Sequence, residues 1–343
     1  MIEAVNVTKT FAARGGGLLP GEVVRALRGV SVSVPDSSAL ALIGESGCGK
    51  TTLGRILCGL EPYDGGDLIF DGVSMNSLPA KERNSQFRKA QLIHQDPYAA
   101  LNPVRTVGKT VTDPLKLRAK QIGKNDSWVN ERAHELLGLV GLDPEEVLSK
   151  YPHNLSGGQR QRVVIARALT VDPETLVADE AVSMIDVSLR LGILKLLSDL
   201  RERLGIAVVF ITHDVAAGRY AAQGGTMAVI YRGEILEYGP IDEVIQFPVN
   251  PYTQSLLSAV PVLTGLEQPG PDRFTPKQAM DTDRAESGCL FHGRCPFATD
   301  TCRVEHPELL PMKGKERLSR CHYSTTRRVV ATPTQAGGGA VTQ

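Results

Sequence analysis

Residues 39–52 read Ala39-Leu40-Ala41-Leu42-Ile43-Gly44-Glu45-Ser46-Gly47-Cys48-Gly49-Lys50-Thr51-Thr52. An unbroken apolar run leads into a glycine-rich turn. Leu53, Ile56, Leu57 and Leu60 then recur at helical spacing. A strand that is apolar on both faces suits the interior of a parallel sheet. Residues 44–51 match G-x-x-x-x-G-K-[ST], in the strand–turn–helix context that this pattern requires. Its glycines let backbone N–H groups turn inward around phosphate oxygens, and the helix N-terminus adds partial positive charge. Lys50 is the counter-charge for β- and γ-phosphates, and the Thr51 hydroxyl is a Mg²⁺ ligand. Gly44, Glu45, Ser46, Gly47, Cys48, Gly49, Lys50, Thr51 and Thr52 are therefore the candidate nucleotide-contacting residues. An ordinary glycine-rich turn is the bland alternative, and it does not account for pattern and context together.

Working outward, Ala4–Val7 and Val30–Val34 alternate as strands, with a flexible loop expected over Ala12–Gly21, which holds Gly15-Gly16-Gly17 and Pro20. Strand signals return at Thr175–Ala178 and Ile206–Ile211, each after a helical segment, which implies a parallel α/β sheet. Residues 100–160 are polar and helical, with Glu131–Leu142 the clearest amphipathic stretch, and read as an inserted helical unit. Met227–Tyr231 and Glu234–Tyr238 suggest a hairpin across Arg232-Gly233. Residues 262–288 are rich in Pro, Asp and Thr and read as a linker. Thr325–Gln343, with Gly337-Gly338-Gly339, reads as a disordered tail.

Composition narrows the function classes. With 343 residues, two or three structural units are expected at about 150 residues each. A hydrophobic share of 42% and a charged share of 22% allow a sizeable core and exclude a mainly disordered chain. Lys plus Arg (38) balance Asp plus Glu (38), which argues against a nucleic-acid coat or a polybasic membrane anchor. The longest apolar run, Ile206–Ile211, is far short of the roughly 20 residues of a spanning helix. The start, Met1-Ile2-Glu3-Ala4, lacks the layout of a signal peptide. The expectation is a cytosolic protein that reaches a membrane only through a partner.

Further chemistry lies downstream. Leu176-Val177-Ala178 ends in Asp179-Glu180. Neighbouring strand residues point to opposite sides, so Asp179 can reach a Mg²⁺ shell while Glu180 orients or deprotonates an attacking water. Alone, such a pair is usually a solvated turn; behind a phosphate loop in an alternating α/β chain it is not. Leu155-Ser156-Gly157-Gly158-Gln159 places a hydroxyl and glycines at the start of the helical stretch 160–170, and an N-cap serine is its plain reading.

Leu-Ser-Gly-Gly-Gln between a phosphate loop and an Asp-Glu strand resembles the signature of ABC-type ATPases, and the resemblance covers nearly all of 1–245. It implies a P-loop NTPase core with a parallel sheet, an antiparallel β-subdomain, an inserted helical subdomain and a small Cys-rich C-terminal extension. It also implies further roles. Gln95, in His94-Gln95-Asp96-Pro97-Tyr98, looks like the glutamine that touches Mg²⁺ and water and moves with a transmembrane partner. His213 looks like the histidine that contacts the γ-phosphate. Asp186 resembles the aspartate that bridges protomers, and Phe11 the aromatic that stacks on adenine. The family binds two ATPs between head-to-tail subunits, so Leu155–Gln159 would serve the partner's ATP. The chain departs from the family with Ala181 in place of Pro, and with Ser183-Met184-Ile185-Asp186 in place of Ser-Ala-Leu-Asp.

Within the family, Gln95–Pro103, Asn250-Pro251-Tyr252-Thr253 through Ala259-Val260-Pro261, and Gly288–Pro296 with Cys302 and Cys321 resemble the oligopeptide/dipeptide importer branch, its second ATPase subunit above all. Cys289, Cys295, Cys302 and Cys321 are spaced C-x₅-C-x₆-C-x₁₈-C. In a reducing compartment such a set reads as metal ligands, for a [4Fe–4S] cluster or zinc. The branch associates it with iron–sulfur. Cys48 and Cys58 are read as incidental. The resemblance implies ATP and Mg²⁺, a second ABC ATPase subunit, two transmembrane permease subunits and an extracytoplasmic solute-binding protein, with no nucleic acid. The expected units are an ATPase domain over 1–245, an extension over 246–325 and a tail over 326–343, on the cytoplasmic side of the cell membrane. The alternatives are the same motor serving an oligosaccharide, nickel or another small solute, or a non-transport ABC ATPase.

Overall fold

A computed structural model of the chain describes residues 1–12, 23–258, 287–312 and 316–324. The glycine run of the first loop, Ala259-Val260-Pro261, most of the expected linker and the expected tail lie outside the described residues. The N-terminal part holds β1 (Ile2–Ala12), β2 (Val23–Val34), β3 (Ala39–Ile43), α1 (Lys50–Leu57), β4 (Gly65–Phe70), β5 (Val73–Ser74) and α2 (Ala80–Phe87). Next come β6 (Ala90–Ile93), α3 (Pro97–Ala100), α4 (Val107–Ile122), α5 (Asp126–Leu139), α6 (Pro144–Val147), α7 (Gly157–Leu169), β7 (Thr175–Asp179) and α8 (Val187–Leu204). The remainder is β8 (Ala207–Thr212), α9 (Val215–Ala221), β9 (Thr226–Tyr231), β10 (Glu234–Pro240), α10 (Ile241–Gln246), α11 (Pro251–Ser258), α12 (Asp300–Val304), β11 (Leu310–Pro311) and β12 (Leu318–Ser319).

Among the described residues the strands form two sheets. One is antiparallel, in the order β2-β1-β4-β5; the other runs β11-β12-β10-β9-β3-β8-β7-β6. In the larger sheet β9, β3, β8, β7 and β6 are parallel, as the alternation of apolar runs with helices requires. These runs are continuous because both faces are covered. Leu40 and Leu42 of β3 face the core shared with the antiparallel sheet, while Ala39, Ala41 and Ile43 face the core under the extension. In β8, Val208 and Phe210 face the helical unit and Val209 and Ile211 the opposite side.

Helices α3–α6 are inserted between the adjacent strands β6 and β7, as expected. The amphipathic helix sits earlier than its apolar pattern suggests, over Asp126–Leu139. The Asn125 side chain accepts from the Trp128 N–H at 3.1 Å and starts it, and Gly141 at φ +71° lies beyond its end.

The extension is joined to the sheet itself. β12 pairs antiparallel with β10, Glu237 opposite Ser319 and Tyr238 opposite Leu318, and β11 closes that edge. Arg317, fully buried, fastens the joint. Its guanidinium pairs with the equally buried Glu237 carboxylate and donates to the Phe247 carbonyl at 2.6 Å. Glu237 also accepts from the Val249 and Asn250 N–H groups, each at 3.1 Å. Removing one member of such a pair strands the other charge. Arg317→Met should therefore cost about 3–5 kcal/mol. Adding Glu237→Gln should recover a large part of it, read by denaturant unfolding and by protease sensitivity after residue 287.

Candidate active site

The turns that follow β3, β6, β7 and β8 all leave the same, C-terminal, edge of the parallel strands. That edge is where open α/β sheets place ligands. They border a cleft of about 950 Å³ lined by Gly44, Glu45, Ser46, Gly47, Gly49, Lys50, Thr51, Thr52, Gln95, Glu180, His213 and Phe11.

The phosphate loop is set by what lies behind it. A Cβ on Gly44 would fall 2.2 Å from the Ile230 carbonyl oxygen. Gly49 has φ +108°, and a Cβ there would fall 2.4 Å from the Ala26 carbonyl oxygen. Lys50 donates to the Gly44 and Glu45 carbonyls at 2.7 and 2.8 Å, so its ammonium lies inside the loop's own ring of backbone. Cys48 does not line the cleft; it is buried, its sulfur 3.8 Å from the Lys50 nitrogen.

The Thr51 hydroxyl donates to Asp179 Oδ1 at 3.1 Å. Burial pushes the Asp179 carboxyl above the usual carboxylate range, although the Thr51 hydrogen bond pulls the other way. A hydroxyl beside a buried carboxylate, with the amide of Gln95 on the same cleft, is an all-oxygen donor set that fits Mg²⁺.

Glu180 sits at φ +49°, a conformation uncommon for a residue with a side chain and typical of strained functional positions. His213 Nδ1 is 2.8 Å from Glu180 Oε1, and the Ser183 hydroxyl donates to Oε2. A carboxylate only accepts, so the network assigns the Nδ1 proton to His213. Phe11 is at the end of β1, opposite Val24 of β2, with the Lys9 ammonium 5.0 Å from its ring centroid.

Other expected site residues lie elsewhere. Leu155, Ser156, Gly157, Gly158, Gln159 and Asp186 do not line the cleft. The Ser156 hydroxyl accepts from the Gln159 N–H at 3.2 Å, and the Gln159 side chain accepts from the Ser156 N–H at 3.0 Å, a capping box on α7. The Arg160 guanidinium stacks over Tyr98, 4.1 Å from its centroid, and Arg167 donates to the Ala100 carbonyl at 2.6 Å. The segment after Gln95 is thus tied to α7.

The cleft also uses Val23, Val24, Arg25, Ala26, Arg28, Arg232, Gly233 and Leu256, none of them identified from the sequence. The hairpin glycine offered a signal. The Gly233 N–H donates to the Cys48 carbonyl at 2.9 Å and its carbonyl accepts from Arg28 at 2.8 Å, so this turn clasps the loop to β2.

Cys289, Cys295, Cys302 and Cys321 line one small pocket with Phe291, His292 and Tyr323. Burial, with the other thiols adding to it, pushes Cys289 and Cys295 up to about 12. Among the described residues, however, no set of three or more His, Cys, Asp or Glu side chains is arranged to hold a metal ion as it stands. The four sulfurs do converge on that one pocket, and sulfur is the ligand type that soft metal centres take.

Residues 27–183 match the family described as ABC transporter. The chain is 38% identical over 329 residues to the di/tripeptide transport ATP-binding protein DppF of Pseudomonas aeruginosa, covering 94% of this chain and 98% of that one. The chain belongs to the ATP-binding subunits of ABC transporters. It is also 35% identical over 320 residues to the dipeptide transport ATP-binding protein DppF of Escherichia coli K12, covering 92% of each. Residues 236–302 match the oligopeptide/dipeptide transporter C-terminal region. The dimeric, post-hydrolysis structure of the ATP-binding cassette MJ0796 with ADP and Pi is 30% identical, with a TM-score of 0.61, over 70% of this chain and 99% of that one. No helix of the described residues is long and apolar enough to cross a membrane. As an ABC ATPase, the chain requires ATP and Mg²⁺.

Burial raises the Asp179 carboxyl, so Mg²⁺ binding through it should depend on pH. The form able to bind a cation is the carboxylate, present above the raised value and lost as pH falls through it. Mg·ATP affinity should therefore fall on acidification, beginning at higher pH than an ordinary carboxylate would allow. Binding of ATP in EDTA should fall less. Asp179→Asn should flatten the Mg²⁺-dependent part, as measured by titration with a fluorescent nucleotide.

Proposed function

We propose that this ABC ATPase subunit powers the import of peptides, hydrolysing ATP at the cleft between β3, β6, β7 and β8. The match of residues 236–302 to the oligopeptide/dipeptide transporter C-terminal region supports the cargo class. The Thr51–Asp179 and Glu180–His213 contacts beside one glycine-rich loop support the chemistry.

Lys50 and the loop amides bind the phosphates, and Phe11 stacks on the adenine. Thr51 and Asp179, with Gln95 on the same cleft, would hold Mg²⁺, which would supply charge neutralisation to the phosphate oxygens. Glu180 orients a water and accepts its proton as the oxygen attacks the γ-phosphorus. The bond to the bridging oxygen breaks, leaving ADP and inorganic phosphate. His213, oriented through Nδ1, faces the γ-phosphate with Nε2. Leu155–Gln159, with Ser156 exposed, complete the ATP site of a second ATPase subunit, most simply a paralogue, and Asp186 bridges the two. That they lie off this chain's own cleft supports this arrangement.

The exposed Tyr98, 60% accessible, supports a coupling surface over Asp96–Pro103 that docks two permease subunits. Through these, an extracytoplasmic solute-binding protein delivers peptide. The chain then works at the cytoplasmic face of the cell membrane. Functionally it divides into 1–245, 246–325 and 326–343. The four cysteines hold a [4Fe–4S] cluster, with zinc the competing occupant. Held by these four residues, the cluster would staple the extension's loops.

Glu180→Gln should retain ATP binding while losing hydrolysis by about 10²–10⁴-fold. In the native organism it should selectively abolish uptake of labelled di- and oligopeptides. Loss of oligosaccharide or nickel uptake instead would keep the motor and overturn the cargo.

Anaerobically purified protein should carry iron and acid-labile sulfide, both lost in Cys295→Ser. Colourless protein with one bound zinc would replace the cluster with a structural metal.

A further inference from the structure

Glu45 is a variable position of the phosphate loop, and the reaction sketched above gives it no task. The structure holds it from the far end of the chain. Arg294 Nη1 is 2.9 Å from Glu45 Oε2 and Nη2 is 2.8 Å from Oε1, a bidentate pair across 249 residues. The Glu45 N–H donates to the Tyr252 hydroxyl at 3.0 Å. The guanidinium lies against Tyr231 and Phe291, 5.8 and 5.6 Å from their centroids. These two rings and Tyr252 form one cluster with centroids 4.5–5.5 Å apart. The turn that presents Arg294 is closed by cysteine-bearing residues. The Arg294 and Cys295 N–H groups donate to the Phe291 carbonyl at 3.1 and 3.0 Å, and the His292 N–H donates to the Cys289 carbonyl at 3.0 Å.

A carboxylate on a loop built to wrap a polyanion repels that ligand unless it is neutralised and held aside. Lys50 does not pair with that carboxylate; its ammonium lies against the Gly44 and Glu45 carbonyls, inside the loop. We propose that Arg294 is a positioning residue of the ATP site: from the 289–295 turn it neutralises the Glu45 carboxylate and holds it aside, so that the extension sets nucleotide affinity. This rests on the nucleotide reading of the loop. It assigns the extension a direct grip on the motor, at the one loop side chain whose charge opposes binding.

The full chain is titrated with a fluorescent ATP analogue, and KM and kcat are measured separately. Arg294→Ala should weaken binding and raise KM about tenfold, the order expected for one uncompensated charge near the ligand at an effective dielectric constant of about 20. The change in kcat should be small. The penalty should shrink at high salt, because Glu45 is partly exposed. Arg294→Lys should keep most of the affinity. Adding Glu45→Gln to Arg294→Ala should restore binding, and Glu45→Gln alone should bind more tightly than wild type, since it leaves Arg294 as a spare cation.

Unchanged affinity in Arg294→Ala would overturn the proposal. So would a double variant no better than Arg294→Ala, which would show that the extension acts only by folding. Should Arg294→Ala not fold, weaker binding by Glu45→Gln alone would overturn it. Lys50→Ala binding ATP like wild type would instead remove the nucleotide reading itself.

Discussion

The turn from β3 into α1 passes so close to neighbouring backbone that a side chain fits at neither Gly44 nor Gly49. The Ile230 carbonyl of β9 lies behind the first and the Ala26 carbonyl of β2 behind the second. The loop is therefore clasped between the end of the parallel sheet and the edge of the antiparallel one, and its position fixes where these two sheets meet. The hairpin turn at Gly233 completes the clasp through the Cys48 carbonyl and the Arg28 N–H. The carboxylate, histidine and glutamine of the cleft are placed by strand order. Because β3 lies beside β8, β8 beside β7, and β7 beside β6, the residues following each strand arrive in one line: Thr51, His213, Glu180 and Gln95. No special folding of these side chains is needed, since parallel pairing brings the strand ends together.

The elements legible in the sequence are those whose burial is two-sided. Ala39–Ile43, Leu176–Ala178 and Ala207–Ile211 are apolar without interruption because a helix layer or the second sheet covers each face, so a local window carries the whole signal. The phosphate loop and the Asp179-Glu180 pair were legible for a different reason: their chemistry demands particular residue types at fixed spacing. What escaped reading depends on partners distant in sequence. β11 and β12 are two residues each, too short to show alternation, and exist because β10 offers an open edge that Arg317 and Glu237 lock in place. Val23 and Val24 look like poor core residues, being more than half exposed. Their importance comes from the register that sets Val24 against Phe11 at the cleft. Arg294 is equally silent in sequence, since a bidentate pair across 249 residues leaves no local pattern.

The same contrast bears on the cysteines. Their spacing announces a set, and the fold gathers all four around one pocket. Spacing says nothing about ionisation, however. Buried among Phe291, Leu290 and Tyr252, thiols stay protonated, and each thiolate formed would raise its neighbours further. A cation at the pocket reverses that logic, because it lowers the cost of every thiolate at once.

The departures after Glu180 test how much of the hydrolytic geometry depends on a particular residue. A proline at position 181 would fix one backbone dihedral and reduce the freedom of the unfolded chain, an effect of about 0.4–1 kcal/mol. Here Ala181 is fully buried, with Val182 and Ile185 beside it, so packing rather than a ring holds the turn. The Ser183 N–H closes it on the Glu180 carbonyl at 2.9 Å, and the Ser183 hydroxyl holds the Glu180 carboxylate. The third anchor is the Glu180 N–H on the Ile211 carbonyl at 2.9 Å, which ties the residue to the neighbouring strand β8 rather than to its own turn. Hydrogen bonds of this kind contribute about 0.5–1.5 kcal/mol each, and those to charged groups more. Together they exceed what the missing proline would add. Met184, 57% exposed, makes no part of this network. The left-handed backbone of Glu180 is therefore maintained by contacts that the departures leave intact.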